Sequence, residues 1–470
     1  MTQPYLVAID NGSQSTKVSV FDSTGKVHAS ARVPLEAYHS PAPGRWEHPG
    51  DDIWQSIASA TSLAMSRFAG DPSQIAGVGL CTIRFCRAVL RADGSLAQPV
   101  MSWMDERVSR PYSAESVDGA YVTTSSGYVT HRLTGRFVDT AGNYQGVWPI
   151  DAESWSWLDD QRAAPFGIPR RMLFDLVLPG EVLGAVTAGA SAATGLPQGI
   201  PVIATSNDKA VEALGAGLRG SGTALLSLGT YIAAMVPDVQ HRREVPTGWQ
   251  NFASIPHRYL WESDGVRRGM WTVAWFRDLV SGLGASVSPG NGQIEEMLGE
   301  EAARVPAGSG GLVTVLDWLA PEGEPFRRGA FLGFDGTQGR GHLYRSILEA
   351  IAFAMHDNVR ALEAARGGQL AELIVTGGGA SSEIFLQIIA SVFGMPVRRP
   401  EMTDAAGLGA AICAAVGAGI HDGWESAIDA MVRTEAIFLP DAELHHGYAQ
   451  IEQRALTVVD RAKGLFAELP

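Results

Sequence analysis

The sequence predicts an α/β protein of two domains, each built on a mostly parallel sheet. Strand patterns alternate with helix patterns along the chain, which is typical of strands joined by crossover helices. A chain of 470 residues is also too long for one compact core, so two domains are expected. In addition, one strand–turn–strand pattern occurs twice, half a chain length apart.

The first copy of this pattern is LVAIDNGSQSTKVSVFD, at residues 6–22, and the second is TALLSLGTYIAAMV, at residues 223–236. In each copy, apolar stretches flank a glycine turn, at Gly12 in the first and at Gly229-Thr230 in the second, which predicts two antiparallel hairpins. Glycine lets a backbone approach a phosphate or a planar base closely. Each turn alone fits an ordinary hairpin, but two matching hairpins could clamp one ligand from both sides.

The remaining elements follow one another as strand and helix. The segment GAGLRGSG (215–222) reads as a linker and places a domain boundary near residue 220, giving domains 1–220 and 221–470. Apolar periodicity and glycine ends predict the individual elements. The predicted strands are 199–208, 372–379 and 395–400, and the predicted helices are 209–218, 345–365, 382–394, 407–419 and a terminal helix over 460–470.

Composition excludes several classes of protein. The formal net charge of −14 argues against a nucleic-acid surface, which normally carries a basic footprint. No run of about 18 apolar residues occurs, and the N-terminal apolar run breaks at Asp10, so we expect neither a membrane span nor a signal peptide. Three cysteines without metal-ligand spacing suit a reducing compartment and no zinc site. We therefore expect a cytoplasmic protein.

No GxxxxGK[ST] phosphate loop and no GxGxxG dinucleotide fingerprint occur, which excludes a Walker-type nucleotide site and a dehydrogenase. Instead, IDNGSQSTKVSVFD and GTALLSLGTYIAAMV resemble the two phosphate hairpins of the FGGY family of carbohydrate kinases. LIVTGGGASSEIFLQIIASVFGMPVRRP resembles the family's adenosine segment, and GAFLGFDGTQGRGHLYRSILE its C-terminal signature, with Phe334 where a smaller aliphatic residue is usual. The resemblance covers residues 5–420. It implies two actin-like (ribonuclease H-like) ATPase domains with a cleft between them.

Asp208 is the candidate catalytic residue. It lies at the end of a predicted strand and just before a helix, so a helix N-cap and a catalytic group are both open from its position. The segment ATSNDKAVEALGAG resembles the one that carries the family's catalytic aspartate. The resemblance implies that Asp208 accepts the proton of the attacking hydroxyl, because phosphoryl transfer needs a group that orients and deprotonates the nucleophile.

The resemblance also implies sites for ATP and Mg²⁺. Asp10 could be a turn aspartate that bonds its own backbone, or the acidic group that holds Mg²⁺ through water. The implied nucleotide-binding residues are backbone and hydroxyl donors, one lysine and several glycines: Gly12, Ser13, Ser15, Thr16, Lys17, Gly229, Thr230, Gly269, Gly378 and Gly379.

The candidate sugar-binding residues match those of no single resembling kinase closely. Arg84 matches an arginine that precedes a substrate-binding glutamate in glycerol kinase, but here Phe85 replaces the acid. Trp103 and Asp105, in a segment that resembles xylulokinase, are candidates to line the pocket. The alternative is that Trp103 packs in the core and Asp105 pairs with Arg107 on the surface. Two asparagines, Asn143 and Asn251, complete the set of candidates.

One departure from the resembling family is a short connection over residues 111–130, which changes the expected shape of the sugar pocket. The predicted function is ATP-dependent phosphorylation of a terminal hydroxyl of an open-chain sugar, with a pentulose such as xylulose or ribulose first. Another polyol, a deoxyketose or an aldonate is the runner-up. A non-catalytic ATP switch is the alternative from another class. The expected partner is a small sugar or polyol, and a homodimer is also expected.

Overall fold

The computed structural model describes residues 4–114, 118–242, 248–281, 291–321 and 323–468. The first half of the chain folds around a six-stranded sheet, with short strands and helices inserted between its members. The strands of this half of the chain are β1 (Tyr5–Asn11), β2 (Ser15–Asp22), β3 (Val27–Pro34), β4 (Ile75–Thr82), β5 (Ala88–Leu90), β6 (Tyr121–Thr123), β7 (Val138–Thr140), β8 (Ile150–Asp151), β9 (Ser156–Trp157), β10 (Asp175–Val177), β11 (Val182–Ala185) and β12 (Pro201–Ala204). Its helices are α1 (Asp52–Arg67), α2 (Ser125–Thr134), α3 (Asp160–Ala163), α4 (Ala188–Thr194) and α5 (Asp208–Gly215).

The first sheet has the order β11-β12-β4-β1-β2-β3. Strands β1 and β2 form the predicted antiparallel hairpin, while β1, β4 and β12 run parallel. Both faces are covered, so β1 is apolar almost throughout. Leu6 and Ala8 face α10, defined below, and Val7 and Ile9 belong to the cluster that contains α1.

The second half folds around a seven-stranded sheet. The strands of this half are β13 (Thr223–Leu228), β14 (Ile232–Asp238), β15 (Trp249–Phe252), β16 (Tyr259–Glu262), β17 (Val313–Val315), β18 (Ala330–Leu332), β19 (Glu372–Thr376), β20 (Val397–Pro400) and β21 (Thr434–Phe438). Its helices are α6 (Gly269–Ser281), α7 (Asn291–Ala303), α8 (Arg340–Arg366), α9 (Glu383–Phe393), α10 (Ala405–Gly417), α11 (Trp424–Met431) and α12 (Ala442–Ala467).

The second sheet has the order β15-β16-β14-β13-β19-β20-β21. Strands β13 and β14 form the second predicted hairpin, and β13, β19 and β20 run parallel. Both halves therefore start with an antiparallel hairpin whose first strand continues into a parallel sheet. This shared plan confirms the α/β architecture predicted from the alternation of strands and helices.

Helices α5 and α10 lie side by side between the two sheets. Helix α10 comes from the second half of the chain but packs on β1 and β4 of the first sheet, while alanines of α5 pack on the second sheet. Their contact is very close, since a Cβ on Gly215 would lie 1.8 Å from the Ala405 carbonyl oxygen and one on Gly409 2.0 Å from that of Val211. Glycine is therefore required at both positions.

The described residues contain neither a membrane-spanning helix nor a preformed cluster of metal ligands. None of the helices in these segments combines the length and the apolar character that crossing a membrane requires. No group of three or more His, Cys, Asp or Glu side chains in the same segments is arranged to hold a metal ion.

Candidate active site

Acidic side chains meet where β1 ends and where α5 and α10 begin. Asp10 is the penultimate residue of β1, Asp208 is the first residue of α5, and Asp404 directly precedes α10. Burial, together with the negative charges of Asp404 and Asp208, raises the pKa of Asp10 to about 7, although the ammonium of Lys17 acts against them. Lys17 lies opposite Asp10 in the β1–β2 register, with its Nζ 3.5 Å from Asp404 Oδ1.

Asp208 is not the cap of its helix. That position belongs to Asn207, whose Oδ1 accepts a hydrogen bond of 3.1 Å from the backbone N–H of Ala210, so the helix-cap interpretation of Asp208 is wrong. The Asp208 side chain is 27% exposed, and Arg84 Nε lies 3.7 Å from its Oδ1. Burial raises its pKa, although Arg84 and Lys209 act in the opposite direction. A partly exposed carboxylate with a raised pKa has the properties that a general base needs.

A polar network joins α5 to the second sheet. Lys209 Nζ donates to Glu212 Oε2 and to Ser227 Oγ, both at 2.8 Å. The hydroxyls of Ser227 and Thr376 each donate to Glu212 Oε1 at 2.7 Å. Burial would raise the pKa of Glu212, but Lys209 and these hydrogen bonds hold it below its ordinary value. The network fixes the orientation of α5, and with it the position of Asp208.

Three glycine-containing segments of the second half lie close together: the turn at Gly229, the start of α6 at Gly269 and the turn at Gly378-Gly379. The backbone N–H of Met270 donates to the carbonyl oxygen of Gly229 at 3.2 Å, which brings the start of α6 against the second hairpin. A Cβ on Gly379 would meet Met270 Sδ at 2.8 Å, and one on Gly269 would meet Ile232 Cδ1 at 2.2 Å. A Cβ on Gly378 would meet nothing within 4 Å. Of the predicted nucleotide glycines here, Gly378 has open space beside it, while Gly269 and Gly379 allow close packing.

Thr230, the other predicted residue of the second hairpin turn, is exposed and lies directly after Gly229. In the first hairpin, the N–H of Gly12 donates to the Ser15 carbonyl oxygen at 3.1 Å, and the Ser13 carbonyl oxygen accepts from Tyr38 Oη at 3.1 Å. The first turn is thus held by bonds to its own backbone and to Tyr38, while the second exposes Thr230.

The structure revises the hydroxyls predicted on β2. Thr16 is fully buried, and its Oγ1 hydrogen-bonds Asn11 Nδ2 and Ser56 Oγ, both at 2.8 Å. Ser15 is also buried, and its Oγ accepts from Arg32 Nε at 2.9 Å. Thr16 lies on the face of β2 that packs against α1, so its hydroxyl does not point toward the acidic cluster. The predicted contact of the Thr16 hydroxyl with phosphate is therefore corrected, because that hydroxyl is buried and bonded to Asn11 and Ser56.

Arg84 lies beside Asp208 and forms a bidentate ion pair with an acid from the other half of the chain. Its Nη1 and Nη2 donate to the two carboxylate oxygens of Glu262, both at 2.7 Å. Burial would lower the pKa of Arg84, but Glu262 raises it above the ordinary value, so the guanidinium stays charged. Phe85, which stands where the resembling glycerol kinases have an acid, adopts a left-handed backbone with φ of 64°. Such a conformation is strained for a bulky side chain.

The structure separates the two candidates of the WMDER segment. Trp103 is 47% exposed and lies beside Tyr38, so the core interpretation is wrong and its place in the sugar pocket stays a prediction. Asp105 is fully buried, and its oxygens accept bonds from the Trp46 N–H and from three nitrogens of Arg107. Burial would raise the pKa of Asp105, but Arg107 holds it below its ordinary value. The alternative pairing of Asp105 with Arg107 is therefore confirmed, but the pair is buried and not on the surface. With its acceptors occupied, Asp105 has a structural role, and its placement in the sugar pocket is corrected.

The two predicted asparagines differ in whether their side chains are fully hydrogen-bonded. Asn251 exchanges hydrogen bonds with Asn207, at 3.1 and 3.3 Å, so it positions the residue that caps α5. Asn143 is 4% exposed, and its Nδ2 donates to Ser126 Oγ at 2.6 Å. Its Oδ1 has no protein partner within the described parts of the chain. Asn251 is therefore occupied as a positioning residue, while Asn143 keeps one acceptor for a ligand.

The arrangement fits ATP and Mg²⁺ in chemical terms. Asp10 is a carboxylate whose pKa is raised by burial and by the negative charge of Asp404, and a divalent cation would stabilise its ionised form. A carboxylate is a ligand that Mg²⁺ prefers, and the ion usually keeps several of its waters. Lys17 and the turns at Gly12, Gly229 and Gly378 would hold the triphosphate and the adenosine.

Fold and site together define a two-domain kinase of the actin-like ATPase class. Solved structures support the fold: xylulose kinase from Rhodospirillum rubrum superposes with a TM-score of 0.82 at 24% identity, covering 99% of this chain and 100% of that one. Gluconate kinase from Lactobacillus acidophilus gives 0.83 at 17% identity, covering 99% and 100%.

The chain belongs to the FGGY family of carbohydrate kinases. The family's N-terminal domain matches residues 5–114 and 109–215, and its C-terminal domain matches residues 224–418. "Uncharacterized sugar kinase YgcE" of Escherichia coli K12 is 44% identical over 100% of this chain and 94% of its own length. A glycerol kinase of Citrifermentans bemidjiense is 30% identical over 96% of this chain and 99% of its own length. The protein is thus a carbohydrate kinase, and the predicted family is confirmed.

Several residues of this site escaped the sequence analysis, namely Lys209, Glu212, Glu262 and Asp404. The position of Asp404 could have been predicted, because an aspartate just before a helix of small residues is a common helix cap. Lys209 and Glu212 stand three apart on a predicted helix, which is the spacing of an ion pair. Glu262 had no local signal, since its partner Arg84 is 178 residues away.

Proposed function

We propose that the protein transfers the γ-phosphoryl group of ATP to a terminal hydroxyl of a small open-chain sugar. A pentulose such as xylulose or ribulose is the first candidate, and other polyols, deoxyketoses and aldonates are the alternatives. Residues 1–220 would contribute most of the sugar site and residues 221–470 most of the nucleotide site. Membership of a kinase family favours this function over a non-catalytic ATP switch.

The observation that carries the proposal is the placement of Asp208. Its carboxylate is partly exposed, it is not used as a helix cap, and burial raises its pKa. In the proposed reaction Asp208 takes the proton of the substrate hydroxyl as the new oxygen–phosphorus bond forms and the bond to the leaving ADP oxygen breaks. Arg84, 3.7 Å away, keeps Asp208 from becoming protonated too readily.

The chain's other groups hold charge and position. ATP supplies the phosphoryl group, and Mg²⁺ would neutralise its negative charge. Asp10 would hold the hydrated ion, and Lys17 would add positive charge beside it. Asn207, Glu212 and Asn251 keep α5 in place, so that the Asp208 carboxylate stays within reach of the substrate. Exclusion of water from the cleft would limit unproductive ATP hydrolysis.

The experiment is ADP release with Mg²⁺–ATP and a panel of ketoses, polyols and aldonates. We expect stimulation above the ATPase background by at least one open-chain member. Asp208→Asn keeps size and shape but cannot accept a proton, so turnover should fall by about 10²–10⁴-fold with the fold intact. Asp441→Asn is the matched control, since Asp441 also stands at a helix N-terminus, that of α12. Near-normal turnover by the Asp208 variant would refute the assignment.

A further inference from the structure

The ion pair between Arg84 and Glu262 joins the two halves of the molecule beside Asp208. Arg84 follows β4 of the first sheet, and Glu262 ends β16 of the second. The two guanidinium nitrogens and the two carboxylate oxygens form a bidentate pair with both distances at 2.7 Å. The Glu262 side chain is fully buried and that of Arg84 is 11% exposed. This fork-to-fork geometry is the strongest way for an arginine to bind a carboxylate.

The surroundings hold Arg84 in this position. Its guanidinium lies 5.0 Å from the ring of Phe85 and 5.8 Å from the ring of Trp249. Trp249 is the cross-strand neighbour of Glu262 in the β15–β16 ladder, so the Trp249 ring and the Glu262 carboxylate belong to paired residues of the second sheet. The buried indole Nε1 of Trp249 has no hydrogen-bond partner within the described residues. An unpartnered neutral donor thus belongs to the same residue whose ring lies beside Arg84, and both terminal nitrogens of Arg84 are bound by Glu262.

The other cations around Asp208 are occupied as well. Lys209 is bound by Glu212 at 2.8 Å and Lys17 lies 3.5 Å from Asp404. Asp208 and Asp10 therefore add negative charge to a cluster whose three described cations each have a carboxylate partner already. A sugar acid that binds both terminal nitrogens of Arg84 would have to displace Glu262, which would leave a buried carboxylate without its counter-charge. A neutral polyol meets no such obstacle, because its hydroxyls can donate to carboxylates and accept from an indole N–H.

We infer that the sugar site takes uncharged open-chain sugars or polyols and rejects aldonates, and that Glu262, provided by the second half of the chain, is the residue that determines this specificity. The inference rests on the proposed kinase function and removes one of its alternative substrate classes. Glu262 supplies the acid that Phe85 does not, but from the opposite side of the cleft. By occupying Arg84, Glu262 removes the counter-charge that a sugar acid would need, so the acid would lose its hydration without gaining a partner.

The test compares substrates of equal length that differ in charge. Xylulose, ribulose and xylitol are paired with xylonate, and fructose and glucitol with gluconate, using the full-length wild type and Glu262→Gln. For the wild type we expect kcat/KM for the best neutral member to exceed that of its matched acid by at least about 100-fold. In Glu262→Gln, which keeps the shape and removes the charge, the ratio should shrink to below about tenfold, mainly through a lower KM for the acid.

The matched control is Glu349→Gln. Glu349 is a buried glutamate of α8 that pairs with Arg345 at 2.8 Å, so this variant loses a comparable ion pair outside the acidic cluster. Both variants should lose similar thermal stability, but only Glu262→Gln should change the ratio between neutral and acidic substrates. A wild type that prefers the acid of any pair, or a Glu262→Gln ratio equal to that of Glu349→Gln, would overturn the inference.

A second readout separates this inference from the kinase proposal. Ligand-induced rise of the melting temperature is measured for each pair, without and with a non-hydrolysable ATP analogue. Absence of ADP release from every sugar would refute the proposed function, yet a larger rise with the neutral member would still support the specificity inference. An equal rise with both members, a larger one with the acid, or no rise with any would refute it.

Discussion

Replacing Asp10 with asparagine should stabilise the metal-free protein and abolish its response to Mg²⁺. The ordinary pKa of an aspartate is 3.8, and burial together with Asp404 raises the pKa of Asp10 to about 7. The folded protein therefore binds this proton more tightly than the unfolded chain does. Consequently the free energy of unfolding falls as the pH rises from about 4 to 7, and the loss is complete above pH 7.

The magnitude follows from the size of the shift. A difference of about three pKa units at about 1.4 kcal/mol each gives an upper limit of about 4 kcal/mol for the cost of the ionised Asp10. Since Lys17 and solvent screen part of the charge, we expect Asp10→Asn to gain about 2 kcal/mol at pH 8 and nothing at pH 4. For a chain of this size, about 2 kcal/mol corresponds to a few degrees in melting temperature.

The assay is thermal unfolding in EDTA at pH 4, 6 and 8, repeated at pH 8 with millimolar Mg²⁺. The melting temperature of the variant should exceed that of the wild type by an amount that grows with pH. Added Mg²⁺ should raise the melting temperature of the wild type only, because it binds the carboxylate. Asp460→Asn, a change at a 75% exposed aspartate, should give no such trend. A variant that is less stable than the wild type at pH 8, or a difference that does not vary with pH, would refute this account of Asp10.

Three further predictions follow from other contacts. Because burial raises the pKa of Asp208, the acid limb of the pH profile of kcat/KM should lie above the ordinary aspartate value of 3.8; a limb at or below that value would exclude Asp208 as the base. Gly409→Ala should cost about 1–3 kcal/mol in denaturant unfolding, since its Cβ would meet the Val211 carbonyl, whereas Gly447→Ala, with no atom within 4 Å, should cost nothing. Asp105→Asn should lower stability by about 3 kcal/mol and leave the sugar KM unchanged; a raised KM with normal stability would restore Asp105 to the pocket.

The sequence predicted those features whose causes are local. Both hairpins, the strand before Asp208 and the small-residue helix α10 follow from apolar alternation, glycine turns and helical periodicity, which neighbouring residues determine. The alternation of side chains along β2 also indicates that Thr16 is buried. It lies two residues from Val18 and shares its buried face, so its hydroxyl had to point into the core.

The features that the sequence did not predict depend on contacts between distant segments. Glu262 was missed because its partner Arg84 comes from the other half of the chain, and no pattern around either residue announces the pair. The role of Asp105 was misjudged for a related reason. Whether a carboxylate faces a ligand or a buried arginine depends on how Trp46 and Arg107 fold around it, and burial of that kind is a tertiary property.

The placement of α10 makes the two halves of this protein inseparable. A fragment that ends near residue 220 would leave Leu6, Ala8 and Phe21 uncovered, because α10, which covers them, begins only at Ala405. A fragment that starts there would carry α10 without the surface it covers. Neither piece would be a sound choice for separate expression, and aggregation is the expected result for each. Co-expression of both pieces offers the better prospect, since each would bring the surface that the other lacks.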